Sequence, residues 1–314
     1  MKDISVKRVS EKMKLYKVGK VKEVYELENE PDVLEFLFTD KISVFDKVIP
    51  SMIPHKGETL NRTSTFWFET AHKLGYITHF LERPEANRMR VKRVDIITDY
   101  SKITPGTKNY LIPLEFICRY YLAGSMFNRV KKGKVSLESL GFAPDAELVY
   151  GMELPEPYFE MTTKLEETDR LLSDEEALKI AGLTREDYIE IRDTVFAIDR
   201  ELNEKVKKRG LIHVDGKKEF AFNENRELML IDTFGTADED RFWDAELYEK
   251  GEYVELSKEY VRQHYHRTGY YDELEEARAG GRDEPDIPPL PEEEIGKVSK
   301  LYIDLFEKIT GESF

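Results

Sequence analysis

The sequence predicts an α+β protein of two lobes, strand-rich in its N-terminal part and mixed in the remainder, with a cleft between them. Three observations carry this expectation. Short β-rich runs dominate the first part of the chain. Helical periodicity and a long hairpin pattern follow in the second part. The regular strand–helix alternation of a doubly wound sheet is missing. The lobes are placed at residues 1–112 and 113–314.

Taken in order, KVGKVKEVYEL (17–27) and VLEFLFTD (33–40) read as strands separated by the turn-like NEPD. TLNRTSTFWFETAHKLG (59–75) repeats its apolar residues at helical spacing, and Gly75 supplies a stop. ITHFLE and RMRVKRVDI read as further strands, TPGTKNY as a loop. LIPLEFICRYYLAG (111–124), the longest apolar run, reads as a buried strand crossing between lobes, with a helix from Gly124 to about Lys132. LPEPYFEMTTKLEETDR (154–170) is Pro-rich and then polar, which predicts an extended functional loop. Helices follow at 173–182 and 185–210. LIHVDGKKEFAFNENRELMLIDTF (211–234) reads as a β-hairpin turning at NENRE. A helix near LSKEYVRQHY, a Gly- and Pro-rich linker (278–292) and an amphipathic C-terminal helix (292–311) complete the chain.

Composition narrows the function classes. The chain has 314 residues, 40% hydrophobic and 35% charged, and a net charge of −15. That acidity argues against nucleic acid or an anionic membrane as partner, since both select a basic surface. It leaves room for small anions held by a few focused lysines and arginines. No run approaches the ~18 apolar residues of a membrane helix. The N-terminal MKDISVKRVSEKMKLYKV lacks a signal-peptide core, so the expected location is cytoplasmic. The single cysteine, Cys118, sits in an apolar run and is expected to be a small buried residue. His264 and His266 are neighbours without cysteine or carboxylate at zinc spacing.

Four constellations could carry chemistry. In GKVKEVY (19–25), a strand would point Lys20 and Lys22 to one face, where a polyphosphate would relieve their repulsion; a solvated edge strand is the plainer alternative. In HVDGKKEFAF (213–222), Asp215, Lys217 and Glu219 share a strand face, with Val214, Phe220 and Phe222 on the other. If the hairpin turns near Asn225, Glu219 lies opposite Ile231 and Asp232. Two carboxylates then meet where a cation would bridge them, and Mg²⁺ with nucleotide phosphates suits that pair. In CRYYLAGS (118–125), Arg119 and a helix opening at Gly124-Ser125 could grip a phosphate, although Ser125 is equally an ordinary N-cap. DTFGTADEDRFWD (232–244) is dense in acids around Arg241, which could pair locally or bind an anionic substrate. Asp46 stands alone after a strand, in a position typical of a turn residue.

The segments GKVKEVYEL, TDKISVFDKVIPSMIPHKGE, LIPLEFICRYYLAGS, LPEPYFEMTTK, LIHVDGKKEF, LIDTFGTADEDRFW and KEYVRQ, in this order along nearly the whole chain, resemble the phosphoribosylaminoimidazole-succinocarboxamide (SAICAR) synthase family. The length and the C-terminal tail look like its longer form. The resemblance implies two α+β lobes related to ATP-grasp enzymes, with ATP in the cleft. The implied reaction joins 5-amino-1-(5-phospho-D-ribosyl)imidazole-4-carboxylate to L-aspartate with ATP, through an acyl phosphate. It implies Lys20 and Lys22 at the ATP phosphates, Leu111 to Leu114 against the adenine, and Glu219 at the nucleotide sugar or its metal. Asp232 would be the main Mg²⁺ ligand. Arg119, Ser125 and Arg241 would grip the ribotide, and Lys217, Asp215, Asp46, Asp238 and Arg262 would form the remaining substrate shell. The resemblance departs at DTFGTAD, where Thr233 replaces an acid. Asp238 aligns only when anchored on Arg241. Two rival classes share the lysines and the acidic hairpin: another ATP-dependent phosphoryl-transfer enzyme and a silent nucleotide-binding module. The sequence leaves a homo-oligomer open.

Overall fold

The computed structural model describes residues 12–314; residues 1–11, and with them most of the N-terminal stretch read for a signal peptide, lie outside the described part. The strands β1 (Met13–Val18), β2 (Lys22–Leu27) and β3 (Glu30–Phe38) form an antiparallel meander. The small hairpin of β4 (Lys41–Val44) and β5 (Lys47–Met52) leads into α1 (Lys56–Lys73). The strands β6 (Phe80–Glu85) and β7 (Arg88–Lys92) then complete a five-stranded sheet in the order β1-β2-β3-β7-β6. Helix α1 starts earlier than its apolar pattern predicts. Gly57 permits this, because a Cβ there would collide with the Phe38 backbone.

The second sheet is built on one long strand. It uses β8 (Tyr110–Leu111), β9 (Leu114–Tyr121), β10 (Glu153–Thr163), β11 (Leu211–Phe222), β12 (Leu228–Ile231) and β13 (Arg241–Asp244). Strand β11 pairs with β9 and β8 and also with β12 and β13, while β10 forms an edge beyond β9. Helix α2 (Gly124–Lys131) follows β9, and α3 (Asp174–Ala181) and α4 (Arg185–Lys207) precede β11. Ser173 caps α3, and Thr184 with Asp187 forms a reciprocal capping box on α4, so both starts are fixed locally. Short α5 (Ala245–Glu249), then α6 (Glu259–Arg267), α7 (Tyr270–Ala279) and α8 (Glu292–Thr310) close the chain.

The lobes touch through main chain. The Leu230 amide donates to the Ile77 carbonyl at 2.9 Å, and the His79 amide to the Leu230 carbonyl at 3.0 Å. Among the described residues no helix is long and apolar enough to cross a membrane.

Three expectations are corrected. Lys20 does not share a strand face with Lys22: the Gly19 amide donates to the Lys22 carbonyl at 2.8 Å, closing a bend that removes Lys20 from β2. The segment expected as a loop from 154 is mostly strand β10. Its prolines are tolerated because they lie on an edge strand, where pairing with β9 breaks register between Glu153 and Tyr158. The apolar run 111–124 is two strands, broken at Ile112-Pro113. The hairpin, by contrast, turns at 223–227 as its sequence predicts, with Glu219 opposite Ile231.

Candidate active site

Two cavities open along β11. The first, of about 230 Å³, lies between the five-stranded sheet and β12. Val24, Phe36, Leu111 and Ile231 give it apolar walls; Lys22, Lys164, Glu219 and Asp232 form its polar end. Strand β12 stops at Ile231, and Asp232 adopts a left-handed φ of 58°. That turn brings its carboxylate onto the Lys22 ammonium, which also lies 4.6 Å from the centre of the Phe36 ring. Lys164 pairs with Glu219 in the same way. Burial would raise the Asp232 carboxyl, but the Lys22, Lys164 and Lys217 ammonium groups outweigh it and hold it well below the usual range. Behind it, burial pushes the His79 imidazole down to about 3. His79 is therefore neutral, and its Nε2–H reaches the Asp232 carbonyl at 3.3 Å.

The second cavity, of about 450 Å³, is lined by Arg119, Ser125, Asp215, Lys217, Arg241 and Arg262, among others. Asp215 bridges two guanidinium groups, Arg119 at 3.1 Å and Arg241. Arg119 also donates to Ser125 Oγ at 3.2 Å and pairs with Glu160 at 2.7 Å. Arg241 lies against the start of α2, where a Cβ on Gly124 would strike its guanidinium. It meets Glu259 at 3.0 Å, and Arg262 meets the same carboxylate at 2.9 Å. Burial would lower the Arg241 guanidinium, but Asp215, Glu259 and Glu255 more than offset this, so it stays charged. Lys217 stands between the cavities, 2.5 Å from Glu115, 3.3 Å from Glu239 and 3.5 Å from Glu219. Burial disfavours its charge, but Glu239, Glu219 and Glu115 raise its pKa well above the usual value. Lys217 is thus an ammonium ion throughout the neutral range and cannot take up a proton as a general base.

The structure therefore gathers Lys22, Leu111, Glu219 and Asp232 at the first cavity, and Arg119, Ser125, Asp215, Lys217, Arg241 and Arg262 at the second. Four residues sit differently. Lys20, set off by the bend before β2, lines neither cavity. Leu114 is fully buried in the main core as the first residue of β9 and does not face the cavity that Leu111 lines. Asp238 is buried with both oxygens engaged by Lys56, Lys258 and Tyr302, which leaves it no surface for a substrate. Asp46, 70% exposed at the tip of the β4–β5 turn, pairs with Lys20 at 2.5 Å. Sequence reasoning missed Lys164, Glu115 and Glu239. Lys164 closes the run LPEPYFEMTTK, and its orientation is readable only once that run is a strand. Cys118 is buried, with its thiol pushed up to about 12 by burial, as befits a core residue.

Fold and site define a class: a two-lobed α+β protein whose cleft sets cationic side chains and hard carboxylates around two adjoining cavities, an arrangement suited to phosphorylated ligands. The model of the SAICAR synthetase family matches residues 15–277, and the chain belongs to that family. It is 52% identical to the phosphoribosylaminoimidazole-succinocarboxamide synthase of Thermoplasma acidophilum, over 96% of this chain and all of that one. The identity to the protein of the same description from Thermoplasma volcanium is also 52%, with the same coverage. A solved SAICAR-synthase from Saccharomyces cerevisiae, complexed with SAICAR, shares the fold with a TM-score of 0.70 at 23% identity, covering 96% of each chain.

Proposed function

We propose that the chain is the ATP-dependent ligase that condenses 5-amino-1-(5-phospho-D-ribosyl)imidazole-4-carboxylate with L-aspartate to SAICAR, releasing ADP and phosphate. The observation that carries this reading is the common face of β11. Glu219 borders the first cavity, and Asp215 and Lys217 border the second, at alternate positions of one strand. A phosphoryl donor in one cavity and an acceptor carboxylate in the other would meet at Lys217.

In this reading the apolar walls around Leu111 receive the adenine, and Lys22 and Lys164 transfer from their carboxylate partners to the nucleotide phosphates. Arg119, Ser125 and Arg241 receive the ribotide phosphate, Arg241 exchanging a protein carboxylate for a ligand anion. The γ-phosphoryl group passes to the imidazole carboxylate, and ADP leaves. The aspartate nitrogen then attacks the acyl carbon, loses a proton, and expels phosphate carrying one former carboxylate oxygen. Lys217, held as an ammonium ion, neutralises charge on the oxygens in transfer.

The donor set also fits Mg²⁺. Asp232 and Glu219 offer hard oxygens now paired with lysines, so the place already accommodates positive charge. Among the described residues no group of three or more candidate ligands forms a cage. Mg²⁺ suits such a site, because it takes one or two carboxylates together with phosphate oxygens and water. Bound there, it would supply neutralisation of the phosphate charge.

The test uses ribotide labelled with ¹⁸O in its carboxylate, with ATP, Mg²⁺ and L-aspartate. Sustained turnover to ADP should require all components, and one label should appear in inorganic phosphate. AMP and pyrophosphate, or unlabelled phosphate, would exclude the acyl-phosphate course.

A further inference from the structure

Helix α8 lies beyond residue 277, where the match to the family model ends, yet it reaches the segment that carries the site. Asp238 falls between Asp232 and Arg241. Its Oδ1 accepts from the Tyr302 hydroxyl of α8 at 2.7 Å. Its Oδ2 accepts from the Lys56 ammonium at the start of α1 at 2.9 Å, and the Lys258 ammonium stands 3.6 Å from the same oxygen. Tyr302 is 1% exposed and Lys56 is fully buried. One carboxylate therefore joins four parts of the chain: α1, the 232–240 segment, the residue before α6, and α8.

The neighbours of Asp238 alternate in direction. Glu239 turns outward to Lys217 at 3.3 Å. Asp240 turns inward, where its oxygens take the Gly235 amide and His213 Nε2, both at 2.8 Å. Arg241 turns outward into the second cavity. The Lys258 amide donates to the Ala237 carbonyl at 2.8 Å, so the start of α6, which presents Glu259 and Arg262, is set by the same anchor.

We propose that Tyr302 is a positioning residue: its hydroxyl, through Asp238, fixes the 232–241 segment and the start of α6, and so holds Arg241, Glu239 and Arg262 in the second cavity. The kinetic part of this inference rests on the ligase reading above. The electrostatics support it. Burial would raise the Asp238 carboxyl, but Lys258 and Lys56 hold it well below the usual range, so it is an acceptor only. Burial, with Asp238 beside it, raises the Tyr302 phenol well above its usual value, so it remains a donor. Without that hydroxyl, Oδ1 is a buried acceptor with no donor, and the carboxylate is free to rotate about the two lysines on Oδ2.

Tyr302→Phe removes the hydroxyl and keeps the ring that lies 5.5 Å from the Lys56 ammonium. Val298→Ala, at a buried position of the same helix, serves as a control that destabilises α8 without touching Asp238. In Tyr302→Phe the KM for the ribotide should rise at least about fivefold, the equivalent of one lost hydrogen bond. The KM for ATP should stay unchanged, and amide exchange across 232–241 should accelerate. Val298→Ala should lower Tm without changing either KM. A wild-type ribotide KM in Tyr302→Phe, or the same rise in Val298→Ala at equal loss of Tm, would overturn the proposal. If the wild type forms no ADP with these substrates, the ligase reading falls by itself. The anchor is then judged by exchange alone, and unchanged protection at 232–241 in Tyr302→Phe would sink it.

Discussion

At the scale of the residue, the site works by opposing burial with charge. Asp232 is held in a left-handed turn between Lys22 and the imidazole of His79. Asp232→Asn keeps the shape and removes the charge. Under the proposed function it should fold, with Tm within a few degrees of wild type, while Mg-ATP turnover falls by roughly two to three orders of magnitude. Near-wild-type turnover at saturating Mg²⁺ would remove Asp232 from the nucleotide site. Glu255 shows the opposite balance. Burial raises its carboxyl to about 7, only partly offset by Arg241, whose Nε is 3.8 Å away, and by the Trp243 indole N–H at 2.9 Å. Between its ordinary value and pH 7 the folded state keeps a proton that the unfolded state has released. Glu255 therefore makes stability fall as pH rises through that window, by about 1–3 kcal/mol. Glu255→Gln should flatten that part of the stability profile in urea titrations from pH 4.5 to 7.5; parallel profiles would show that Glu255 is ionised at lower pH.

At the scale of the element, β11 is the organiser. One face presents Asp215, Lys217 and Glu219 to the cavities. From the other face Lys218 makes a fully buried ion pair with Asp199 of α4, and Asp199 also accepts from the Tyr120 hydroxyl at 2.9 Å. The helix is thus docked on the sheet beneath the face that lines the cavities. Lys218→Met should cost about 3–5 kcal/mol, because it leaves Asp199 buried without its cation. A loss under 1 kcal/mol in chemical denaturation would show that Asp199 relaxes to another partner. The same strand explains what sequence reading could and could not reach here. The period-two pattern of 213–222 gives the outward residues, and NENRE gives the register that puts Glu219 opposite Ile231. The pairing of β11 with β9 and β13 joins residues far apart in sequence, so Arg119 and Arg241 meet at Asp215 without a local signal.

At the scale of the whole molecule, the first cavity is shared between lobes: Lys22 and Phe36 come from the five-stranded sheet, Glu219 from the second and Asp232 from the turn that follows its strand β12. A nucleotide bound there would stabilise both lobes together. With ADP and Mg²⁺ at about a hundred times Kd, the folded state should gain ~2.7 kcal/mol, read as a higher Tm in a single transition. Two transitions, only one of them moved by ADP, would place the nucleotide within a single lobe.

What the sequence determined by itself is local or periodic: the α+β class, the capped helices α3 and α4, the turn at 223–227, and the membership of an ordered series of motifs. Each rests on residues near one another in the chain, where capping, turn chemistry and side-chain parity act directly. Only the tertiary structure decided the rest. It turned 153–163 into an edge strand, took Lys20 off the strand face of Lys22, buried Leu114, and withdrew Asp238 from the cleft into a grip by Lys56, Lys258 and Tyr302. An acidic run such as Asp238-Glu239-Asp240 carries no mark of which carboxylates face inward. That direction is set by cations brought from distant parts of the chain, and the cost of burying an unpaired charge fixes the choice.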